Sequence, residues 1–190
     1  MRIISGIRRG HKLLEFEGMD VRPTTDRVKE SIFNLIQSYI PDSVCLDMFS
    51  GSGALSFEAI SRGASKAVML DNDKRSVDII RKNAQSLKFG NFCEIRNEDA
   101  FEYAGRAAEK FDIIFLDPPY NKGYVKPVLC EIVKHKLLND EGIVMLESDD
   151  TDFSAEVQGL TILKQRKYGR TCITIYQKEK ETNENSSLSG

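Results

Sequence analysis

From Val44 onward, short apolar runs alternate with longer stretches in which apolar residues recur every three or four positions. The runs 44–48, 67–70, 92–95, 111–116 and 142–147 predict five buried strands. Between them, 54–61, 74–88, 100–109 and 125–138 predict helices. The second of these carries Val77, Ile79, Ile80, Ala84 and Leu87 on one side, and Gly63 marks the end of the first. Strand and helix in regular alternation imply an α/β fold, a mostly parallel sheet with helices on both faces. The pattern then changes. The runs 160–163 and 171–176, separated by Lys167-Tyr168-Gly169-Arg170, predict a C-terminal hairpin adding two antiparallel strands to one edge, seven strands in all.

Ahead of this region, residues 1–16 alternate weakly around Gly6 and Gly10 and predict one or two short strands or a hairpin arm. Arg22-Pro23-Thr24-Thr25-Asp26 reads as a loop ending in a cap. Val28, Ile32, Phe33, Leu35, Ile36 and Tyr39 then follow at helical spacing until Pro41 stops them. The chain thus divides into an N-terminal arm and helix over 1–40, a main domain over 41–178, and a tail over 179–190. The tail is polar and rich in Asn and Ser, a composition that favours disorder.

Composition narrows the class. At 190 residues, with 41% hydrophobic and 29% charged residues, the chain can build one sizeable core of a soluble protein. It contains no apolar run near the ~20 residues a membrane span needs, and Met1-Arg2-Ile3-Ile4 does not open a secretory signal. Cys45, Cys93, Cys130 and Cys172 are far apart and read as buried thiols of a reducing cytoplasm. Two histidines, His11 and His135, are too few for a His-based metal site. The net charge of -2 conceals two basic ends: Arg2, Arg8, Arg9 and Lys12, then Lys164, Arg166, Lys167, Arg170 and Lys178, both segments free of acids. Brought together in space they would form a face for phosphates. Left apart they read as solvated strand edges.

The candidate chemistry is concentrated where predicted strands end. Asp117-Pro118-Pro119-Tyr120 follows the run 111–116 directly. An acid and a proline carbonyl are two acceptors that can hold an amino group, and the Tyr120 ring offers a face to a flat base. Asp47-Met48-Phe49-Ser50-Gly51-Ser52-Gly53 lies between the first strand and its helix, where glycine lets backbone approach a ligand. The plain dinucleotide fingerprint needs a third glycine at position 56, which is Ser56 here, so a nicotinamide enzyme is under-supported. Asp71 ends the second strand, in the place where an acid grips a ribose diol. Asp99, past the third, is placed to accept from an adenine amine with Ala100 packing nearby. Three acids around a glycine loop suit a cofactor with an amino-acid head, a ribose and an adenine, which describes S-adenosylmethionine. Taken singly, each acid reads equally as a helix cap or loop residue.

With these residues in hand, the chain resembles the Rossmann-like amino-methylating methyltransferases that depend on S-adenosylmethionine. More closely, it resembles the bacterial 16S ribosomal RNA guanine-N2 methyltransferase family, the RsmD-like enzymes. The likeness runs through Met1-Arg2-Ile3-Ile4-Ser5-Gly6, Arg22-Pro23-Thr24, Leu46 to Gly53, Glu58-Ala59-Ile60-Ser61-Arg62-Gly63-Ala64, the Asp117 to Tyr120 motif and Tyr168-Gly169. It implies cofactor contacts at Asp47, Phe49, Ser50, Gly51, Gly53, Asp71, Asn72, Asp99 and Ala100, and amine positioning by Asp117, Pro118, Pro119 and Tyr120. Phosphate contacts are expected from Arg8, Arg9, Lys12, Arg22, Thr24, Arg166, Lys167 and Arg170. The implied enzyme is a cytoplasmic monomer without metal, acting on 16S rRNA or a partly assembled small subunit. Two departures stand out: Asp71 where the family more often has Glu, and Ser56 where it has Gly. A DNA adenine-N6 methyltransferase would use the same motif but usually carries a recognition domain that this chain has no room for. A catalytically silent RNA-binding module would leave the glycine loop and the acids without a job.

Overall fold

A computed structural model describes residues 1–15, 26–119, 123–149 and 155–179. The helices are α1 (Asp26–Leu35), α2 (Ala54–Ser61), α3 (Lys74–Leu87), α4 (Ala100–Arg106) and α5 (Val125–Lys134). The strands are β1 (Val44–Asp47), β2 (Lys66–Asp71), β3 (Cys93–Asn97), β4 (Phe111–Leu116), β5 (Leu138–Asp149), β6 (Leu160–Tyr168) and β7 (Thr171–Lys178). They form one seven-stranded sheet in the order β3-β2-β1-β4-β5-β7-β6. The first five are parallel, and β7 and β6 join antiparallel at one edge. Strand order reverses between β1 and β4, which creates the crevice where open α/β sheets bind ligands.

Alternation within each strand divides the core in two. Cys45, Met69, Ile113, Phe115, Ile143 and Met145 point to the face covered by α1, α2 and α3. Leu46, Leu70, Ile114, Leu116, Val144 and Leu146 point to the face covered by α4 and α5. At about 25 cal/mol per Å² of apolar surface removed from water, burial on both faces is the main term holding the helices to the sheet.

The N-terminal arm is a small hairpin with a single bridge, Arg2 to Lys12, around a 3-10 turn at Gly6–Arg8. Its Ile3 and Leu13 enter the same core as α1 and α2. The arm lies over α2, all eight of whose residues are buried. A helix enclosed on every side must satisfy its polar groups internally. Glu58 does so through the arm: its carboxylate accepts from Ile4 N at 2.7 Å, Ser5 N at 2.9 Å and Arg62 Nε at 2.7 Å. Buried Lys29 of α1 lies 3.3 Å from the same carboxylate and donates to Arg2 O.

Four details differ from the sequence reading. The helix expected over 125–138 stops at Lys134, and Leu138 already opens β5. The last two strands of the hairpin run farther than their apolar cores, because β6 is an edge strand whose Lys164, Arg166 and Lys167 stay in water. The thiols are not uniformly buried: Cys45 and Cys172 are, Cys93 is partly so, and Cys130 is exposed because it falls on the outer side of α5. The two basic ends also sit over different parts of the sheet. The arm is bonded to α2 and α3, while β6 is the far edge, with three strands between it and β1. Among the described residues no helix is long and apolar enough to cross a membrane.

Candidate active site

The reversal of strand order sets Asp47, the last residue of β1, beside the end of β4, with Asp47 opposite Phe115. Asp117 and Pro118 follow β4 immediately. Asp47 is 1% exposed. Its Oδ2 accepts from Ser56 Oγ at 2.8 Å, and its Oδ1 has no hydrogen-bond partner among the described residues. Burial pushes its carboxyl up to about 7, although the Ser56 hydroxyl pulls the other way. The departure at position 56 therefore has a consequence: a glycine there would leave both oxygens of Asp47 short of this donor.

The glycine loop turns tightly above it. Ser50 N donates to Leu70 O at 2.9 Å, Ser50 Oγ to Asp47 O at 3.0 Å, and Gly53 N to Ser50 O at 2.7 Å. Gly53 has φ +81°, and a Cβ there would strike Met69 Cε and Phe57 Cε2, both at 2.5 Å, so glycine is required twice over. Gly51 has φ +55° and faces open space. Asp71 is bound into the loop: its Oδ2 accepts from Gly51 N at 2.9 Å and its Oδ1 from Asp73 N at 2.8 Å. Half-burial raises its carboxyl above the ordinary range. Asn72 beside it is exposed, and Asp73 caps α3 through Arg75 N.

Asp99 caps α4, its Oδ1 accepting from Phe101 N at 2.8 Å and Glu102 N at 3.2 Å. Ala100 is buried under the helix. Phe49, Tyr124 and Phe101, from the ends of three different strand-helix units, form an aromatic wall with ring centroids 6.1 and 6.0 Å apart. Pro118 is buried and Pro119 exposed. Asp117 is held well above the ordinary carboxylate range, first by burial and then by the charges of Glu147 and Asp47.

These residues fit S-adenosylmethionine. The buried Asp47 oxygen without a donor suits an ammonium group, the open side of Gly51 leaves room beside the loop amides, and Asp71 stands one turn away with lone pairs to spare for hydroxyls. Asn83 of α3 supports the arrangement, donating to both Ser52 O and Leu14 O at 3.0 and 3.1 Å and so joining loop to arm. Asn83 and Tyr124 carry no signal in the sequence, and Ser56 stands out there only as a departure from glycine, since a lone polar or aromatic residue near a helix carries no local signal of its partner.

The candidate RNA contacts fall into two groups. Arg9 and Lys12 on the arm and Arg166, Lys167 and Arg170 on the hairpin are exposed. Arg8 is half-buried and partly committed, its Nε donating to Leu87 O at 2.7 Å with the guanidinium 5.7 Å over the Phe89 ring. Tyr120, Arg22 and Thr24 lie outside the described residues.

Known proteins resemble this chain over nearly its whole length. The chain is 36% identical over 182 residues to the putative rRNA methyltransferase YlbH of Bacillus subtilis, covering 94% of this chain and 99% of that one. It is 33% identical over 180 residues to ribosomal RNA small subunit methyltransferase D of Escherichia coli, covering 94% and 90%. Its fold superposes on the solved putative methyltransferase yhhF of Escherichia coli with a TM-score of 0.84 at 32% identity, covering 94% and 98%. The sheet, its order and its terminal hairpin are those of the S-adenosylmethionine-dependent methyltransferase fold. With residues 1–177 matching the family model described as "Conserved hypothetical protein 95", the chain belongs to that family, the RsmD family its motifs resemble.

Proposed function

We propose that this chain methylates the exocyclic N2 amine of a guanine in the 16S RNA of the small ribosomal subunit, with S-adenosylmethionine as methyl donor. The observation that carries the reading is the placement of Asp117 and Pro118 across the sheet's reversal point from Asp47, whose Oδ1 has no donor among the described residues. The RNA comes from the relatives: that of Escherichia coli is named ribosomal RNA small subunit methyltransferase D and that of Bacillus subtilis putative rRNA methyltransferase.

In this reading Asp47 holds the ammonium of the cofactor, Asp71 the ribose and Asp99 with Ala100 the adenine end. Bound there, the cofactor supplies an electrophilic methyl group. Asp117 and the Pro118 carbonyl each accept from the target amine, which turns its lone pair out of conjugation and favours the positive charge it gains. Tyr120 stacks on the base. A base must leave its own stack to be reached, so exposed Arg9, Lys12, Arg166, Lys167 and Arg170, with Arg8, Arg22 and Thr24, grip the flanking phosphates. Alignment is the main catalytic term, worth about 7 to 11 kcal/mol when reactants are held in attack geometry.

The test is methyl transfer from labelled S-adenosylmethionine to total ribosomal RNA, small-subunit particles and genomic DNA, followed by nucleoside analysis. N2-methylguanosine from the ribosomal substrates is expected, and Asp117→Ala should abolish it while cofactor affinity stays nearly intact. N6-methyladenine from DNA would overturn the substrate, and lost cofactor binding in Asp117→Ala would overturn the role of Asp117.

A further inference from the structure

The register of β4 against β5 brings a further acid to this site. Leu116 stands opposite Leu146, so the next residues, Asp117 and Glu147, come side by side where the paired stretch ends. In neighbouring parallel strands, residues at one level point to one face, and residues two apart share it. Phe115 and Met145 enter the core beneath α1 and α2. Period two therefore directs Asp117 and Glu147 to that face, as it directs Asp47 two residues after Cys45. Three carboxyl groups from the adjacent strands β1, β4 and β5 thus meet at one end of one face. Glu147 is 2% exposed and pairs with Ile173 of β7 on its other side.

Among the described residues, Lys29 of α1 and Arg62 of α2 pair with Glu58, Asp71 of β2 bears on Asp47, and Asp149 follows Glu147 two positions along β5 on the same face. Among the charges acting on Asp117, Glu147 is the largest and Asp47 the next, and both make its carboxyl hold a proton more strongly.

We propose that Glu147 is a positioning residue of the methyl-transfer site: from the end of β5 its carboxylate makes Asp117 a stronger proton acceptor, ready for the proton that the methylated amine must shed. This rests on the reading of Asp117 as the group that holds the amine. The step balances. The amine nitrogen gains the methyl group and loses one proton, which passes to an oxygen of Asp117. The electron pair of the broken carbon–sulfur bond remains on sulfur. Two carboxylates sharing a site resist ionising together, so the pair keeps a high affinity for one proton. A cation bound beside them offsets that resistance, and when its charge passes to the amine the pair becomes the nearest acceptor for the proton.

The test follows the carboxyl carbons of the cofactor-free protein by NMR through a pH titration, in the wild type and in Glu147→Gln, Glu147→Asp and Asp117→Asn. The wild type should show Asp117 titrating above the ordinary carboxylate range. Glu147→Gln should bring that midpoint down by about one pH unit or more, a tenfold loss in proton affinity, while Glu147→Asp keeps it raised. Reciprocally, Asp117→Asn should lower the midpoint of Glu147. In the methyl-transfer assay the acid limb of kcat should move to lower pH in Glu147→Gln, with KM for S-adenosylmethionine little changed. An unmoved Asp117 midpoint in Glu147→Gln overturns the proposal. Should that variant fail to fold, an unmoved Glu147 midpoint in Asp117→Asn does the same. The titration needs neither RNA nor methyl donor, so absence of N2-methylguanosine would sink the functional reading without touching this result.

Discussion

Glu58 and Asp47 are both acids at or near zero exposure on the same side of the sheet, yet they are treated in opposite ways. Glu58 is surrounded by donors: two arm amides, the Arg62 guanidinium and the Lys29 ammonium. Asp47 receives the Ser56 hydroxyl and is left with one oxygen unpartnered among the described residues. A buried charge with complete partners costs little once folded, whereas one without them is a standing penalty that folding alone does not explain. The first therefore reads as structure, fastening the arm and α1 over α2. The second reads as a place kept for a ligand, in a crevice where the fold family binds its cofactor. Burial by itself does not mark a functional acid; incomplete satisfaction does.

The contrast can be broken most forcefully at Glu58. Glu58→Ala removes the acceptor of four donors and strands Lys29, whose ammonium burial already holds below its usual proton affinity. Loss of one partner from a buried pair costs about 3 to 5 kcal/mol. Denaturant unfolding should show that loss at neutral pH, and an unchanged midpoint would mean the arm is not fastened this way. Glu58→Gln should recover part of it, since the amide oxygen still accepts.

Asp47→Asn should act in the opposite direction on stability. The folded carboxyl titrates at about 7 against an ordinary value of 3.8. Its contribution is therefore fully present below the ordinary value and is lost as pH rises through about 7. Each pH unit between the two values is worth about 1.4 kcal/mol. The asparagine variant should lose this slope and be the more stable protein on the alkaline side when no cofactor is bound. It should also bind S-adenosylmethionine about tenfold or more weakly, the value of a lost charge-assisted hydrogen bond. Thermal melts across pH, with and without cofactor, read both effects, and a variant that melts below wild type at alkaline pH would refute the comparison.

The smallest effect belongs to the exposed hairpin. Arg166→Ala and Arg170→Ala should leave stability unchanged, because both side chains are in water. Each should flatten the salt dependence of RNA affinity by about 0.7 to 0.9 in log-log slope. Binding measured at several salt concentrations gives that slope, and an unaltered one removes the hairpin from the RNA surface.

Much of this was legible in the chain because the signals are local. A run such as 111–116, followed by Asp117 and two prolines, reads as a strand that stops, and Gly51 and Gly53 announce a turn whose φ values other residues resist. Asp47, Asp71, Asp99 and Asp117 could be placed at strand ends for the same reason. The full reach of β6 was not legible, since an edge strand written in lysine and arginine lacks an apolar rhythm. Nor was the part played by Ser56, whose value depends on a carboxylate nine positions away across a turn.

The order of elements, the acids at the strand ends and the family are written in local signals, because periodicity, glycine and proline act within a few residues. Which acids are satisfied and which are not depends on packing between distant segments. Glu58 finds its amides 53 and 54 residues away. Asp117 and Glu147 each follow a residue, Leu116 and Leu146, that only the pairing of β4 with β5 sets opposite the other. Hydrogen-bond partners and desolvation are properties of how distant segments pack, and they exist only once the sheet, the helices and the arm have closed on one another.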